Sequence, residues 1–278
     1  MKVAQYLTIL KYHYIRDLPN TPYPEIKGLL TSRFIGQLDY LQKYYEIISI
    51  EDCIKAYSDK LKLPKNACLL TFDDGIIDHY KVAFSLLSER GLTGAFFPPA
   101  EAILKNKLLN THKIHFILAK STDYNKLTNQ IFDLIDLHRN DYNLPDNKSL
   151  KSKSTIYTSR WNSPEISLIK QLLQYILPRN LRSAICSELF EKILGRNEED
   201  FARELYITVN QLKSMINSGM YIGGHGYSHE WLGNLSEEEQ RIDIKNTYEF
   251  LEMLYNEPPL NWVISYPSSS KNETTVSI

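Results

Sequence analysis

Apolar positions along this chain follow two periods that alternate. Leu7 to Tyr12, Ile47 to Ile50, Ala67 to Phe72, Thr93 to Phe97, Tyr221 to Gly224 and Trp262 to Tyr266 are runs of strand length. Polar residues, glycines or prolines bound them, as β-strands require. Between them the period lengthens. Thr31 to Tyr45 carries Phe34, Ile35, Leu38 and Leu41 at helical spacing, with Thr31 or Ser32 as the predicted N-cap. Glu51 to Tyr57 is a second predicted helix. Ile77 to Arg90 is a third, with Tyr80, Phe84, Leu86 and Leu87 on its apolar face and Gly91 closing it. The order 67–72, 77–90, 93–97 predicts a parallel βαβ unit, whose ligand site lies at the carboxyl ends of the strands.

From residue 101 to 205 the strand period disappears. Helical stretches such as Lys113 to Leu118 and Leu168 to Leu177 are separated by polar loops, Asp141 to Thr155 among them, and Lys148 to Ser154 is expected to be mobile and solvated. The β/α alternation then returns. Val209 to Ser218 is a predicted helix ended by Gly219, and Tyr221 to Gly224 delivers His225. Ser236-Glu237-Glu238-Glu239 is a capping box opening a helix that runs to about Tyr255, and Trp262 to Tyr266 is the last strand. The pattern predicts one α/β domain over 1–278 with a helical insertion at 101–205.

Charge narrows the function classes. With 32 basic and 33 acidic residues the net charge is -1, which gives no basic surface for tracking phosphates and excludes nucleic acid as the expected partner. The three cysteines, Cys53, Cys68 and Cys186, match neither zinc-knuckle spacing nor a disulfide framework and read as small hydrophobes in a reducing compartment. Met1 to Tyr6 runs into the first strand without a long apolar segment or a small-residue cleavage site, so a cytoplasmic location is expected. No run approaches the roughly 18 consecutive apolar residues that a spanning helix needs.

The candidate chemistry sits at the strand ends. Asp73 and Asp74 are adjacent carboxylates. Neighbouring side chains on a strand point to opposite faces, so the two share a site only where the strand ends and the backbone turns. Gly75 permits that turn. Crowding two carboxylates in a partly buried site favours a cation or a proton between them. Asp-Gly is also a hairpin dipeptide, but a helix, not an antiparallel strand, follows here. Far downstream, His225-Gly226-Tyr227-Ser228-His229 supplies two imidazoles four positions apart. Two imidazoles and one carboxylate suffice for a catalytic zinc with a position open to water. Zinc lowers the pKa of water toward about 7 and polarises a carbonyl, and a carboxylate outside its coordination shell can take the proton. Asp73 and Asp74 would divide these tasks. His79, His112, His115 and His138 lie on helical stretches and read as surface or packing residues.

With Thr71-Phe72-Asp73-Asp74-Gly75 and His225-Gly226-Tyr227-Ser228-His229 in this order, the chain resembles the polysaccharide deacetylase family, the NodB-homology carbohydrate esterases. The resemblance covers about residues 7–100 and 206–270. It implies an irregular (β/α) barrel and leaves the helical segment between these stretches unaccounted for. By the same resemblance Asp73 is the catalytic base, and Asp74, His225 and His229 are the ligands of a divalent metal, Zn2+ first among the candidates. Tyr12-His13-Tyr14 resembles a segment near the start of the biofilm poly-N-acetylglucosamine deacetylases, a permuted branch in which that histidine is the general acid. His13 is therefore the candidate for protonating the departing amine. Ser265-Tyr266-Pro267 resembles the family's third motif, although Ser268-Ser269-Ser270 follows where the family has Tyr or Ser and then Gly. Members of the family continue for several more elements past this motif, whereas the sequence runs to Ile278 and lacks the late histidine of the unpermuted branch. The barrel is accordingly expected to be incomplete at its C-terminal end.

The activity implied is metal-dependent removal of N-acetyl groups from an amino sugar or polysaccharide, in surface-glycan or lipopolysaccharide assembly. From its position after the strand end at Phe97-Pro98, the helical insertion is expected to cover the site and select substrate. Two alternatives stay open: hydrolysis of a small non-sugar amide or a formyl group on the same metal centre, and a truncated, inactive domain that binds glycan.

Overall fold

A computed structural model describes residues 6–154, 162–269 and 275. Met1 to Gln5, Thr155 and Ser270, which enter the expectations above, lie outside the described residues. The chain divides into two compact units, one formed by Met1–Asp17, Gly28–Lys107 and Ala202–Ile278, the other by Leu18–Lys27 and Leu108–Phe201.

The first unit opens with β1 (Leu7–Tyr12), as the alternation predicts. Ile15–Arg16 (β2) and Leu29–Leu30 (β3) then form a small parallel ribbon that the sequence pattern does not reveal. Helix α1 (Thr31–Tyr44) follows without a side-chain cap. Its N-cap is Leu30, not Thr31 or Ser32, because the chain enters the helix directly from the ribbon. After β4 (Glu46–Ile47) comes α2 (Ile50–Ser58), where Ser49 and Asp52 form a capping box. That cap draws Ile50 into the helix rather than into the strand. Next is β5 (Ala67–Asp73), buried along its whole length. A π-helical turn at His79–Phe84 leads into α3 (Ser85–Glu89) where a single regular helix is predicted. The strand β6 (Ala95–Phe97) and the short α4 (Ala100–Lys105) end this part.

The second unit is helical. It contains α5 (Asn110–Lys120), α6 (Tyr124–Leu137), α7 (Asn147–Ser154), α8 (Pro164–Gln171) and α9 (Arg179–Leu194), with a π turn at Leu172–Ile176. Its core includes Ile114, Ile117, Ile131, Ile185 and Phe190, all buried. The segment Lys148 to Ser154, expected to be mobile and solvated, forms most of α7, with Lys148, Lys151, Ser152 and Lys153 exposed and Leu150 and Ser154 buried. Asp146 Oδ1 accepts the Ser149 N–H at 2.8 Å, starting α7, and Leu150 is buried. One apolar residue in a polar run is too little period to read from sequence, yet enough to dock one turn of helix.

The chain returns to the first unit through α10 (Glu198–Leu205), α11 (Val209–Asn217), β7 (Tyr221–Ile222) and α12 (Glu237–Tyr255). The predicted capping box is present, with Ser236 Oγ accepting the Glu239 N–H and Glu239 accepting the Ser236 N–H. The predicted strand at 262–266 reduces to one parallel bridge, Gly224 with Ile264.

All the pairings in the main sheet are parallel, in the order β1-β5-β6-β7, with β4 also on β5. Register places Tyr12 beside Phe72 and Phe72 beside Phe96. Their rings stack, at 5.2 and 4.5 Å between centroids, and the edge of Phe34 from α1 meets Tyr12. Full burial of a Phe side chain contributes about 2–3 kcal/mol, so this ladder locks the three strands in register on one face. The residues of opposite parity, Lys11, Asp73 and Phe97, are thereby committed to the other face. Parallel register also brings the carboxyl ends of β1, β5, β6 and β7 to one rim of the sheet.

Candidate metal centre

Asp73 and Asp74 stand on that rim and are buried, at 2% and 4% exposure. Strand alternation would send them to opposite faces. Instead Asp74 adopts φ 78° and Gly75 φ 59°, left-handed conformations that turn the chain as β5 ends. The turn is tied down where Asp74 N–H donates to the Phe97 carbonyl at 3.1 Å and Ile207 N–H to the Gly75 carbonyl at 2.9 Å. A Cβ on Gly75 would lie 2.7 Å from Pro98 Cβ, so space and conformation both demand glycine.

His225 follows β7 and is buried. Its Nδ1 donates to the Ser265 carbonyl at 2.6 Å, and because a carbonyl only accepts, the proton is on Nδ1. Nε2 then points at Asp74 Oδ1 from 3.3 Å. His229, also in the left-handed region at φ 59°, brings its own Nε2 to 3.1 Å from the same oxygen. The two rings are 4.8 Å apart in an edge-to-face arrangement. Three donor atoms, one each from Asp74, His225 and His229, lie within 4.8 Å of one another.

Lone pairs on two imidazoles and a carboxylate cannot face each other without a proton or a metal cation among them. The direction of the His225 pKa carries the same message. Burial, the largest influence, pushes it down, but the bond to Asp74 and the charges of Asp73 and Asp74 outweigh burial and leave it raised. One carboxylate oxygen with two imidazole nitrogens is a donor set suited to Zn2+.

Asp73 is held differently. Its Oδ2 accepts from Ser265 Oγ at 3.1 Å and lies 3.9 Å from Lys11 Nζ. Its Oδ1 is buried with no hydrogen-bond partner among the described residues. Asp73 is tied to the donor set through Ser265, whose carbonyl holds His225, and an orphaned acceptor on such a residue fits a group that receives a proton. The residues present therefore fit a divalent metal with an adjacent base.

The structure thus brings together Asp73, Asp74, His225 and His229. His13 stands one position past the Tyr12–Phe72 pair, level with Asp73, but its imidazole is exposed and outside the hydrogen-bonded cluster. What holds it in place is its carbonyl, which accepts from His79 Nε2 at 2.8 Å. His79 itself is fully buried, and burial lowers its pKa from 6.5 to about 4. The neighbouring Asp78 accepts Arg16 Nε and Nη2 at 2.7 and 2.9 Å and the Ile15 N–H at 3.1 Å, so residues 78 and 79 fasten the segment from 13 to 16. Tyr14 in that segment is kept protonated by burial and then by the charge of Asp74.

Three contributors escape a reading of the sequence. Lys11 is signalled only by its parity with Asp73. Ser265 is part of a motif already singled out, but its double contact, side chain to Asp73 and carbonyl to His225, is visible only in three dimensions. The third, Asp243, is a buried carboxylate on the stripe of α12 that includes Gln240, Thr247, Phe250, Leu251 and Leu254. A charge on the inward stripe of an amphipathic helix is a signal that could have been read.

The sequence model of the polysaccharide deacetylase family matches residues 193–278, the stretch that carries His225, His229 and Ser265. No curated protein matches the chain. Solved structures align along almost its full length. A Streptococcus pyogenes deacetylase, PplD, in complex with acetate gives a TM-score of 0.54 at 17% identity, over 98% of this chain and 77% of that one. IcaB from Ammonifex degensii gives 0.52 at 16% identity, over 99% and 79%. A de-N-acetylase from Aggregatibacter actinomycetemcomitans gives 0.53 at 14% identity, over 98% and 82%. The resemblance drawn from the two motifs holds, and the fold is the irregular (β/α) barrel of these deacetylases.

Proposed function

We propose that this chain, which matches the polysaccharide deacetylase family over residues 193–278 and has the fold of such enzymes, is a metal-dependent hydrolase that removes N-acetyl groups from an amino sugar or polysaccharide. The observation that carries the reading is the convergence of Asp74, His225 and His229 on one point beside the unpartnered Oδ1 of Asp73.

In this reading Asp74, His225 and His229 hold a divalent cation, Zn2+ by donor type. When bound, such an ion lowers the pKa of water and polarises the acetamide carbonyl. Asp73 is the general base and accepts the water proton on Oδ1, while Ser265 Oγ and Lys11 fix Oδ2 and with it the direction of the free oxygen. The Ser265 carbonyl keeps the His225 proton on Nδ1 and so keeps Nε2 turned to the site. Water adds to the carbonyl carbon, the carbon–nitrogen bond breaks, and the nitrogen leaves as a free amine after taking a proton. His13, exposed on the same rim, is the group assigned to deliver it. The products are acetate and an amino sugar.

The substrate is assigned to surface-glycan or lipopolysaccharide assembly. Three unpaired cysteines suit a reducing cytoplasmic setting. The test is acetate release from a panel of N-acetylhexosamine glycans by zinc-reconstituted protein, with Asp73→Asn as control. Loss of the base is expected to lower the rate by about 10²–10⁴. Release that survives in Asp73→Asn at the wild-type rate would remove Asp73 from its role. Turnover of formamides or small amides, with none of glycans, would move the substrate away from sugars.

A further inference from the structure

The two histidines at the metal centre belong to one loop, and the loop has an unusual support. Between His225 and His229 the backbone takes left-handed conformations at Gly226, φ 70°, and at His229 itself, φ 59°. Such a conformation is uncommon for a residue other than glycine. On one side the carbonyls of Gly226 and Tyr227 accept the N–H groups of Ala100 and Glu101 at the start of α4, at 3.3 and 2.9 Å. On the other side lies Asp243. Its Oδ1 accepts the Tyr227 N–H at 2.7 Å, and its Oδ2 accepts the Ser228 N–H at 3.0 Å and the Ser228 hydroxyl at 2.6 Å.

We propose that Asp243 is a positioning residue for the metal centre, holding the loop so that His229 Nε2 meets His225 Nε2 and Asp74 Oδ1 at the spacing a metal ion needs. The proposal rests on the metal-binding reading of the site given above. Asp243 is 5% exposed, and its three bonds all fall on the two residues that precede His229. Loop donors therefore hold this buried carboxylate. The geometry around it leaves little freedom. The Asp243 carbonyl accepts Thr247 Oγ1 at 2.8 Å within α12, and a Cβ on Gly226 would stand 3.1 Å from Asp243 Oδ1. Gly226 thus leaves room for the carboxylate as well as allowing the left-handed turn. An amide at 243 would put an NH2 group against one of the loop's donors, and the loop would have to shift to escape that contact.

The experiment compares zinc affinity in wild type, Asp243→Asn and Ser228→Ala, measured by competition with a chromophoric chelator. Thermal unfolding of each protein in excess chelator, and hydrogen exchange at the amides of residues 227 and 228, accompany it. Groups that orient metal ligands typically change affinity by about 10–100-fold. Asp243→Asn is expected to weaken zinc binding by that factor, to lose amide protection at 227 and 228, and to unfold within a few degrees of wild type when metal is stripped. Ser228→Ala, which removes one bond of three, is expected to weaken binding less. Wild-type zinc affinity in Asp243→Asn would overturn the proposal. So would a global loss of stability in the stripped variant that accounts for the lost affinity, because Asp243 would then be a general fold residue. Failure of the wild type to bind zinc would overturn the metal reading and the proposal with it, and the wild-type titration separates that result from the others.

Discussion

At the residue scale the centre depends on side chains that local rules would place elsewhere. Asp74 holds a left-handed backbone, which costs a non-glycine residue about 1–3 kcal/mol. That conformation turns its carboxylate toward His225 and His229 and leaves the neighbouring Asp73 on the strand. His79 is the second such case, a neutral imidazole buried to fix the carbonyl of His13. Its pKa is about 4 in the folded chain against 6.5 for the free side chain. The unfolded chain therefore binds the extra proton between these values, and the folded chain does not. The contribution of His79 to stability is complete above pH 6.5 and is lost as pH falls toward about 4. Denaturant unfolding of wild type and His79→Gln across this range measures it. The wild type is expected to lose stability more steeply on acidification, and parallel curves would show that His79 is not the titrating group.

At the element scale, much of the fold is legible where a local cause is complete in the sequence. β1 is a largely apolar run of strand length, and the capping box at Ser236 and Glu239 marks the start of α12. The motifs at 71–75 and 225–229 stand out through their context, since a helix and not an antiparallel strand follows Asp73-Asp74-Gly75 and glycines precede the histidine pair. What stays hidden depends on partners distant in sequence. The π turn at 79–84 differs from a regular helix by one inserted residue, which leaves the apolar pattern almost unchanged. Leu150 docks α7 only because neighbouring helices supply a surface. Ser265 acts through a carbonyl, and every residue has one. The helix α12 links element to site, since it bears Asp243. Ser236→Ala removes its cap and is expected to cost about 1 kcal/mol of stability. Chemical denaturation checks that figure, and a change below about 0.3 kcal/mol would show that α12 is held by packing alone.

At the scale of the whole molecule, the donors of the candidate metal centre all belong to the first unit, although long stretches of chain separate them. Zinc at about a hundred times its dissociation constant is expected to stabilise the folded state by about 2.7 kcal/mol. Hydrogen exchange should report the gain in β5, β7 and the loop from 225 to 229, and not in α5 or α9 of the second unit. Equal protection in both would mean that the two units open in one cooperative step, so that the gain at the site is shared by the whole chain. Among the described residues no helix is long and apolar enough to cross a membrane.

The parallel pairing of β6 with β7 also sets a timetable for the ribosome. When β6 has been made, its outer edge has no neighbour, and roughly 120 more residues must be translated before β7 arrives to cover it. At about 5–20 residues per second that interval lasts roughly 6 to 25 s. During it the nascent chain shows an unpaired apolar edge, of the kind that recruits other strands. Helices of the second unit are made in the same interval, and they can fold from local contacts alone. The yield of this protein should thus be sensitive to synthesis rate as well as to final stability. Slowing translation between residues 98 and 220 lengthens the exposure without changing a single amino acid.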